Sequence, residues 1–291
     1  MRCLRPIHLR LEDGSERIVP CSKCPACLTR ARQEWAFRLR EEWKDSEQSV
    51  FVTLTYDNEH LPIKEVVDEE SGAIWYVQTV MKEDVQAFMK RFRNHFPGTC
   101  IRYYAISEYG DERKTFRPHY HIIFFFDKFH DVEDILEAVR KSWKSPEVTC
   151  GQLDEGAVIY CTYYCLSHNN IPDGANSNFR LVSRGGRKGH GLGFSYVEKM
   201  GKWHQDRVDF AMPVEGQDVL NMPRYYRMKI FTEDQQKERS EDLAASFMKE
   251  WLDHFNDPNF DLETFWKLQS QRLSDEERKL RKTLDKKMKK I

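Results

Sequence analysis

The sequence predicts an α+β protein with a central, mainly antiparallel sheet, flanking helices and a helical C-terminal extension. Three observations carry this. Short β-branched and aromatic runs at residues 49–56, 101–108 and 119–126 are interleaved with stretches whose apolar residues recur every three or four positions. The second and third runs are joined by the polar connection Gly110-Asp111-Glu112-Arg113-Lys114, too short for a crossover helix, so they pair antiparallel. From Thr232 onward the texture turns to charged helix. At 291 residues the chain is long enough for one sizeable core and an appendage.

Taken in order, the opening to about Pro25 mixes Gly, Pro and Cys and predicts loop and short turns. Leu28, Ala31, Trp35, Leu39 and Trp43 then mark an amphipathic helix that runs through Lys44. Residues 49–56 predict a buried strand stopped by Asp57-Asn58, and Glu69-Glu70-Ser71-Gly72 a turn between two further extended pieces, the second at 74–77. Val85, Phe88, Met89, Phe92 and Phe96 form one stripe of a helix over 82–96, ended by Pro97-Gly98. Beyond the hairpin, Val132, Ile135, Leu136, Val139 and Trp143 mark another helix. Residues 157–167 fit helix or strand by periodicity alone. Leu243, Phe247, Trp251, Leu252 and Phe255 share a helical face up to a break at Asp257-Pro258. Ser274-Asp275-Glu276-Glu277 has the spacing of a capping box, which predicts a highly charged final helix.

Composition narrows the function classes. A charged fraction of 32% beside an aromatic fraction of 13% argues against wholesale disorder, and the longest apolar run, Ile122 to Phe126, is far short of a bilayer. Net charge is -1, so any basic surface must be local. Two stretches qualify: Arg180, Arg184, Arg187 and Lys188, and the tail from Arg278 to Ile291 with its eight Lys or Arg. The N-terminus, Met1-Arg2-Cys3-Leu4-Arg5-Pro6, lacks the apolar core of a signal peptide, which predicts a cytoplasmic protein. Its eight cysteines are then better explained as thiols or metal ligands than as disulfides.

The sharpest chemical feature is Arg117-Pro118-His119-Tyr120-His121, leading into Ile122. On a strand His119 and His121 project from one face and Tyr120 from the other, so two imidazoles stand one repeat apart and can share a divalent ion. Glu108 ends the partner strand, and pairing carries its carboxylate toward the same face. Two imidazoles and one carboxylate leave open positions on Mg²⁺ or Mn²⁺, which suits a phosphate ligand. Two surface histidines on an edge strand are the plainer alternative. Tyr160-Cys161-Thr162-Tyr163-Tyr164 supplies candidate nucleophiles, because on a helix Tyr160 and Tyr164 share a face and a phenolate can attack phosphorus. Tyr163 points elsewhere and is the structural candidate. Cys21, Cys24 and Cys27 stand at intervals of three, and Cys3 could complete a four-thiolate Zn²⁺ site; iron-sulfur ligation and buried thiols capping the first helix are the alternatives. Cys100, Cys150, Cys161 and Cys165 have no such pattern and are expected in the core. Arg184, Arg187 and Lys188 lie in a glycine-rich stretch, Ser183 to Gly193, that could grip single-stranded DNA or form a plain surface loop.

In these residues the chain resembles the replication initiators of small single-stranded DNA phages, the gokushovirus branch of the Microviridae, within the His-hydrophobic-His (HUH) endonucleases. The resemblance is carried by Pro20 to Cys27 with Arg30-Ala31-Arg32 and Trp35, by Phe51 to Asp57, by Glu108 with Arg117 to His121, by Tyr160 with Tyr164, and by Pro223-Arg224-Tyr225-Tyr226-Arg227. Together these cover roughly residues 1–230. The resemblance implies an RRM/ferredoxin-like palm with the histidine strand in mid-sheet and the nucleophile on a flanking helix, which favours helix at 157–167. It implies an N-terminal segment over 1–48 packed on an endonuclease domain over 49–231, with the extension over 232–291. It also implies rolling-circle replication: a metal-dependent nick at an origin in single-stranded DNA, a covalent 5′-phosphotyrosine, later strand transfer, and Thr53 and Thr55 on the DNA-facing surface. Host helicase and polymerase would be partners in the bacterial cytoplasm, with no membrane involved. In that family a lysine commonly stands three residues after the catalytic tyrosine; here those positions are Tyr163 and Ser167, with His168 nearby. An HUH relaxase, transposase or plasmid initiator is the nearest alternative, and a non-catalytic zinc-containing nucleic-acid-binding protein is the alternative from another class.

Overall fold

A computed structural model describes residues 3–10, 12, 14, 16–110, 115–164, 171–184, 190–212 and 220–255, with scattered positions between 261 and 282. The chain divides into two compact units, one of residues 1–34 with 196–291 and one of residues 35–195.

The first unit opens with a hairpin, β1 (Ile7–Arg10) against β2 (Glu16–Val19), where the sequence predicts only loop. Four-residue strands are too short to show a period of two, so the pairing leaves no trace in the pattern. Helix α1 (Pro25–Lys44) follows, with Pro25 at its first helical position, where the missing N–H costs nothing.

The second unit is built on strands β3 (Gln48–Thr55), β6 (Ile101–Tyr109), β7 (Pro118–Phe126), β8 (Val148–Gln152) and β9 (Arg180–Val182), after a separate two-stranded ribbon of β4 (Ile63–Val67) and β5 (Ile74–Gln78). The five-stranded sheet has the order β8-β3-β7-β6-β9, and every neighbouring pair is antiparallel. The fold class and the central histidine strand are as expected. β8 escaped notice because it is short and each of its positions is exposed or half-buried.

Each face of the sheet has its own core. Val50, Val52 and Leu54 of β3 and Tyr120, Ile122, Phe124 and Phe126 of β7 are buried with Val85, Phe88, Met89 and Phe92 of α2 (Lys82–Arg93) and Ile135 and Val139 of α3 (Val132–Ser142). The opposite face buries Tyr104 and Ile106 of β6 and Ile123 and Phe125 of β7 against Ala36 and Leu39 of α1 and Ala157, Val158 and Cys161 of α4 (Glu155–Tyr164). Residues 155–164 are thus helical. The Asp154 carboxylate accepts the Ala157 N–H at 2.7 Å and caps this helix, a start signal that apolar periodicity alone leaves out.

After α4 come α5 (Ser195–Arg207), the short pair β10 (Ala211–Met212) and β11 (Leu220–Asn221), α6 (Arg224–Ile230) and α7 (Glu233–Phe255). The expected capping box is corrected: Leu273, Ser274 and Asp275 are all helical, so Ser274 lies within a helical stretch and does not start one. Among the described residues no helix is long and apolar enough to cross a membrane.

Candidate active site

The β6–β7 register places Glu108 directly opposite His119 and Ile106 opposite His121. On the other side of β7, Thr53 faces His121 and Thr55 faces His119. Because side chains alternate, all of these project from the sheet face that α4 covers, and Tyr120 projects from the other. The ligand atoms of Glu108, His119 and His121 all lie within 4.8 Å of one another. Glu108 Oε2 is 3.7 Å from His119 Nε2 and 3.5 Å from His121 Nε2.

α4 brings the phenol. Tyr160 donates its hydroxyl hydrogen to Glu108 Oε2 at 2.9 Å, and its ring stands edge-on to His121 with centroids 4.9 Å apart. Tyr164 is the last residue of α4, and its side chain lies outside the described residues, as do Cys165, Ser167 and His168. Tyr163 is buried, in keeping with a structural residue.

The remaining nitrogens of both imidazoles are engaged. His119 Nδ1 lies 3.1 Å from the Arg117 carbonyl, so it carries the hydrogen and leaves the Nε2 lone pair toward Glu108. His121 Nδ1 lies 3.0 Å from Thr53 Oγ1, and Phe51 stacks on the ring with centroids 5.4 Å apart. His121 Nε2 is buried and has no hydrogen-bond partner. A buried polar atom left so is costly unless something completes it, and an imidazole lone pair beside a carboxylate is completed by a cation. The donor set of two nitrogens and one oxygen fits a divalent ion.

Burial by itself would raise the Glu108 carboxyl, but contact with His119 and His121 carries it down to about 2. The site therefore keeps an anion. Burial lowers His121 and favours its neutral, ligating form, whereas at His119 burial is overridden by the contact with Glu108, which raises it.

The other expected residues are distributed as follows. Thr55 lies on the same face, and its carbonyl accepts the Trp143 indole N–H at 2.8 Å. Arg184 is exposed; Arg187 and Lys188 lie outside the described residues. Cys3, Cys21, Cys24 and Cys27 bring their sulfurs within 4.8 Å of one another and form a second group able to hold a metal ion. Cys161 is in the core as expected, whereas Cys100 and Cys150 are only half-buried. Two residues at the site went unnoticed in the sequence, Phe51 and Arg117. The first was findable, since it is in phase with Thr53 and Thr55 on one strand face. The second contributes its backbone carbonyl, for which no residue type is a signal.

Residues 49–169 match the family model of the ORF2-type replication-associated proteins. The chain is 25% identical over 290 aligned positions to the replication-associated protein ORF2 of Spiroplasma virus 4, covering 86% of this chain and 85% of that one. It is 27% identical over 257 positions to the replication-associated protein VP4 of Bdellovibrio phage phiMH2K, covering 78% and 76%, and 24% identical over 161 positions to the replication-associated protein ORF4 of Chlamydia phage 1, covering 50% and 37%. No solved structure matches the chain. The matched segment contains both the histidine strand and α4, and over most of its length the chain is a relative of phage replication-associated proteins, as its motifs led one to expect.

Proposed function

We propose that this protein initiates rolling-circle DNA replication by nicking one strand with Tyr160 as the nucleophile, at a divalent-ion site formed by Glu108, His119 and His121. The observation that carries the proposal is the 2.9 Å hydrogen bond from the Tyr160 hydroxyl to the carboxylate that stands between the two imidazoles. The names of the phage relatives support the replication role, and through it single-stranded DNA as the substrate.

The residues divide the chemistry. Glu108 orients the phenol oxygen. With its pKa near 2 it is a weak base for a phenol that ordinarily ionises near pH ~10, so it aims the hydroxyl and the loss of the proton has to be driven by positive charge at the same place. A bound divalent cation, Mn²⁺ or Mg²⁺, supplies that charge and polarises the scissile phosphate as a Lewis acid. Two imidazoles in the donor set favour Mn²⁺ of the two. The Tyr160 oxygen forms the bond to phosphorus, the bond from phosphorus to the 3′ oxygen breaks, and that oxygen takes up a proton. The products are a 5′-phosphotyrosine and a free 3′ hydroxyl that a polymerase can extend. The phosphodiester energy is kept in the tyrosyl ester for rejoining, and Tyr164, one helical turn on, is the candidate second nucleophile for strand transfer.

The test is adduct formation on single-stranded oligonucleotides tiling the genome that encodes the protein, with Mn²⁺, followed by mass spectrometry of the peptide–DNA conjugate. The expected result is a conjugate on Tyr160, a loss of roughly 10³-fold or more in adduct rate for Tyr160→Phe, and retention of the first nick in Tyr164→Phe. Cleavage that leaves no protein on the DNA, or binding without cleavage in wild type, overturns the proposal.

A further inference from the structure

We propose that Cys3, Cys21, Cys24 and Cys27 bind one Zn²⁺ as a closed tetrathiolate site, a structural metal that clips the base of the N-terminal hairpin to the first turn of α1. The ligands come from three places in the chain. Cys3 precedes β1, Cys21 follows β2, and Cys24 and Cys27 sit at the start of α1. A metal at their centre closes the hairpin at its open end, where four paired residues a side could not hold it alone.

The distances select the chemistry. The four sulfurs lie within 4.8 Å of one another, and Cys3 Sγ stands 3.8 Å from Cys24 Sγ. A disulfide requires about 2.05 Å. A tetrahedron of sulfurs around zinc at ~2.3 Å has edges of ~3.8 Å, which is the spacing found. Peptide N–H groups are also aimed at sulfur: Cys21 N–H at Cys3 Sγ (3.3 Å), Cys24 N–H at Cys21 Sγ (3.3 Å) and Leu4 N–H at Cys24 Sγ (3.4 Å). Such donors are worth little to a neutral thiol and more to a thiolate, whose charge they spread. Ser22 takes a left-handed φ of 60° to make the turn between Cys21 and Cys24.

The group is all sulfur. Soft thiolates select zinc over the hard ions suited to the Glu108 site, and four protein ligands leave no open coordination position for a substrate. Cys24 and Cys27 are buried beside Leu4 and Ala26, which shields the centre from water and chelators. Zinc here is therefore expected to contribute to folding and to take no part in strand cleavage.

The measurement is the metal content of the full chain, purified without added metal, passed through EDTA and gel-filtered. The expected result is about one zinc and no iron per chain, and on exchange into Co²⁺ the intense visible spectrum of a tetrahedral tetrathiolate. Cys24→Ser and Cys27→Ser should each retain below about a tenth of that zinc, while the double variant His119→Ala, His121→Ala retains all of it. Wild-type protein that carries less than about a tenth of an equivalent of zinc, iron in its place, an octahedral cobalt spectrum or disulfides among these four cysteines overturns the proposal. Wild-type metal content decides even where a cysteine variant fails to fold, and neither outcome depends on whether Tyr160 cuts DNA.

Discussion

The two ring nitrogens of His121 are not equivalent. Nδ1 is met by Thr53 Oγ1 at 3.0 Å, while Nε2 is buried, unpartnered and turned toward Glu108. When the hydroxyl oxygen accepts from Nδ1–H, the lone pair is forced onto Nε2, the nitrogen that a metal ion would use. Thr53, expected from the sequence on the DNA-facing surface, thus touches the site through a histidine. Thr53→Val keeps the shape and removes the acceptor. Divalent-ion affinity, followed by Mn²⁺ titration calorimetry, should fall by roughly 10–100-fold, with folding stability changed by only about 1 kcal/mol. Unchanged affinity would show that Thr53 does not set the tautomer. The histidines and Glu108 were legible in the sequence because strand alternation is a strict rule. Which ring nitrogen is free was not, since it depends on a hydroxyl 68 residues away in the chain.

Strand β7 separates a chemical face from a structural one within three consecutive residues. His119 and His121 face α4, and Tyr120 between them lies under the start of α2. There the Tyr120 hydroxyl donates to the Met81 carbonyl at 3.1 Å, accepts the Met81 N–H at 2.7 Å and meets the Tyr56 hydroxyl at 2.9 Å. Burial raises the pKa of both phenols, so both stay protonated and neither offers a nucleophile. Tyr120→Phe leaves the Met81 N–H without its acceptor and should cost about 1–3 kcal/mol in urea unfolding. Because the change is on the opposite face, Mn²⁺ affinity should stay within about two-fold. A large loss of affinity would mean that the two faces are coupled. At this scale the long amphipathic elements α2, α3, β3, β6 and β7 were readable from periodicity. β1, β2, β8 and β9 were not, because three to five residues hold too few repeats and the partner strand supplies the rest of their definition.

Across the second unit, one buried ion pair ties separate elements together. Glu42 of α1 accepts from Arg102 of β6 at 2.9 Å and from the Gly193 N–H at 2.7 Å. Arg102 also donates to the His190 carbonyl at 3.0 Å, so the described end of the glycine-rich stretch is anchored on this pair. Burial raises the Glu42 pKa even though Arg102 and the Gly193 N–H oppose it. The folded state therefore holds its proton more tightly than the unfolded chain. As pH rises from the ordinary glutamate range, near ~4.3, through the raised value, this group's contribution to stability falls. Glu42→Gln removes that slope. In urea unfolding at about pH 4 and about pH 8, the stability difference between wild type and variant should shift in the variant's favour at the higher pH. A shift in the opposite direction would mean that pairing with Arg102 outweighs burial.

The sequence by itself determined the fold class, the long elements and the identity of the chemical groups, because hydrophobic period, turn residues and strand alternation are local properties written within a few residues of one another. Only the tertiary structure decided that Glu108, His119, His121 and the Tyr160 phenol share one point, and that four sulfurs from the hairpin's two ends and α1 share another. Those convergences depend on strand register, on the angle at which α4 crosses the sheet and on a left-handed turn at Ser22. Each is set by packing between residues far apart in the chain, where local pattern carries no information.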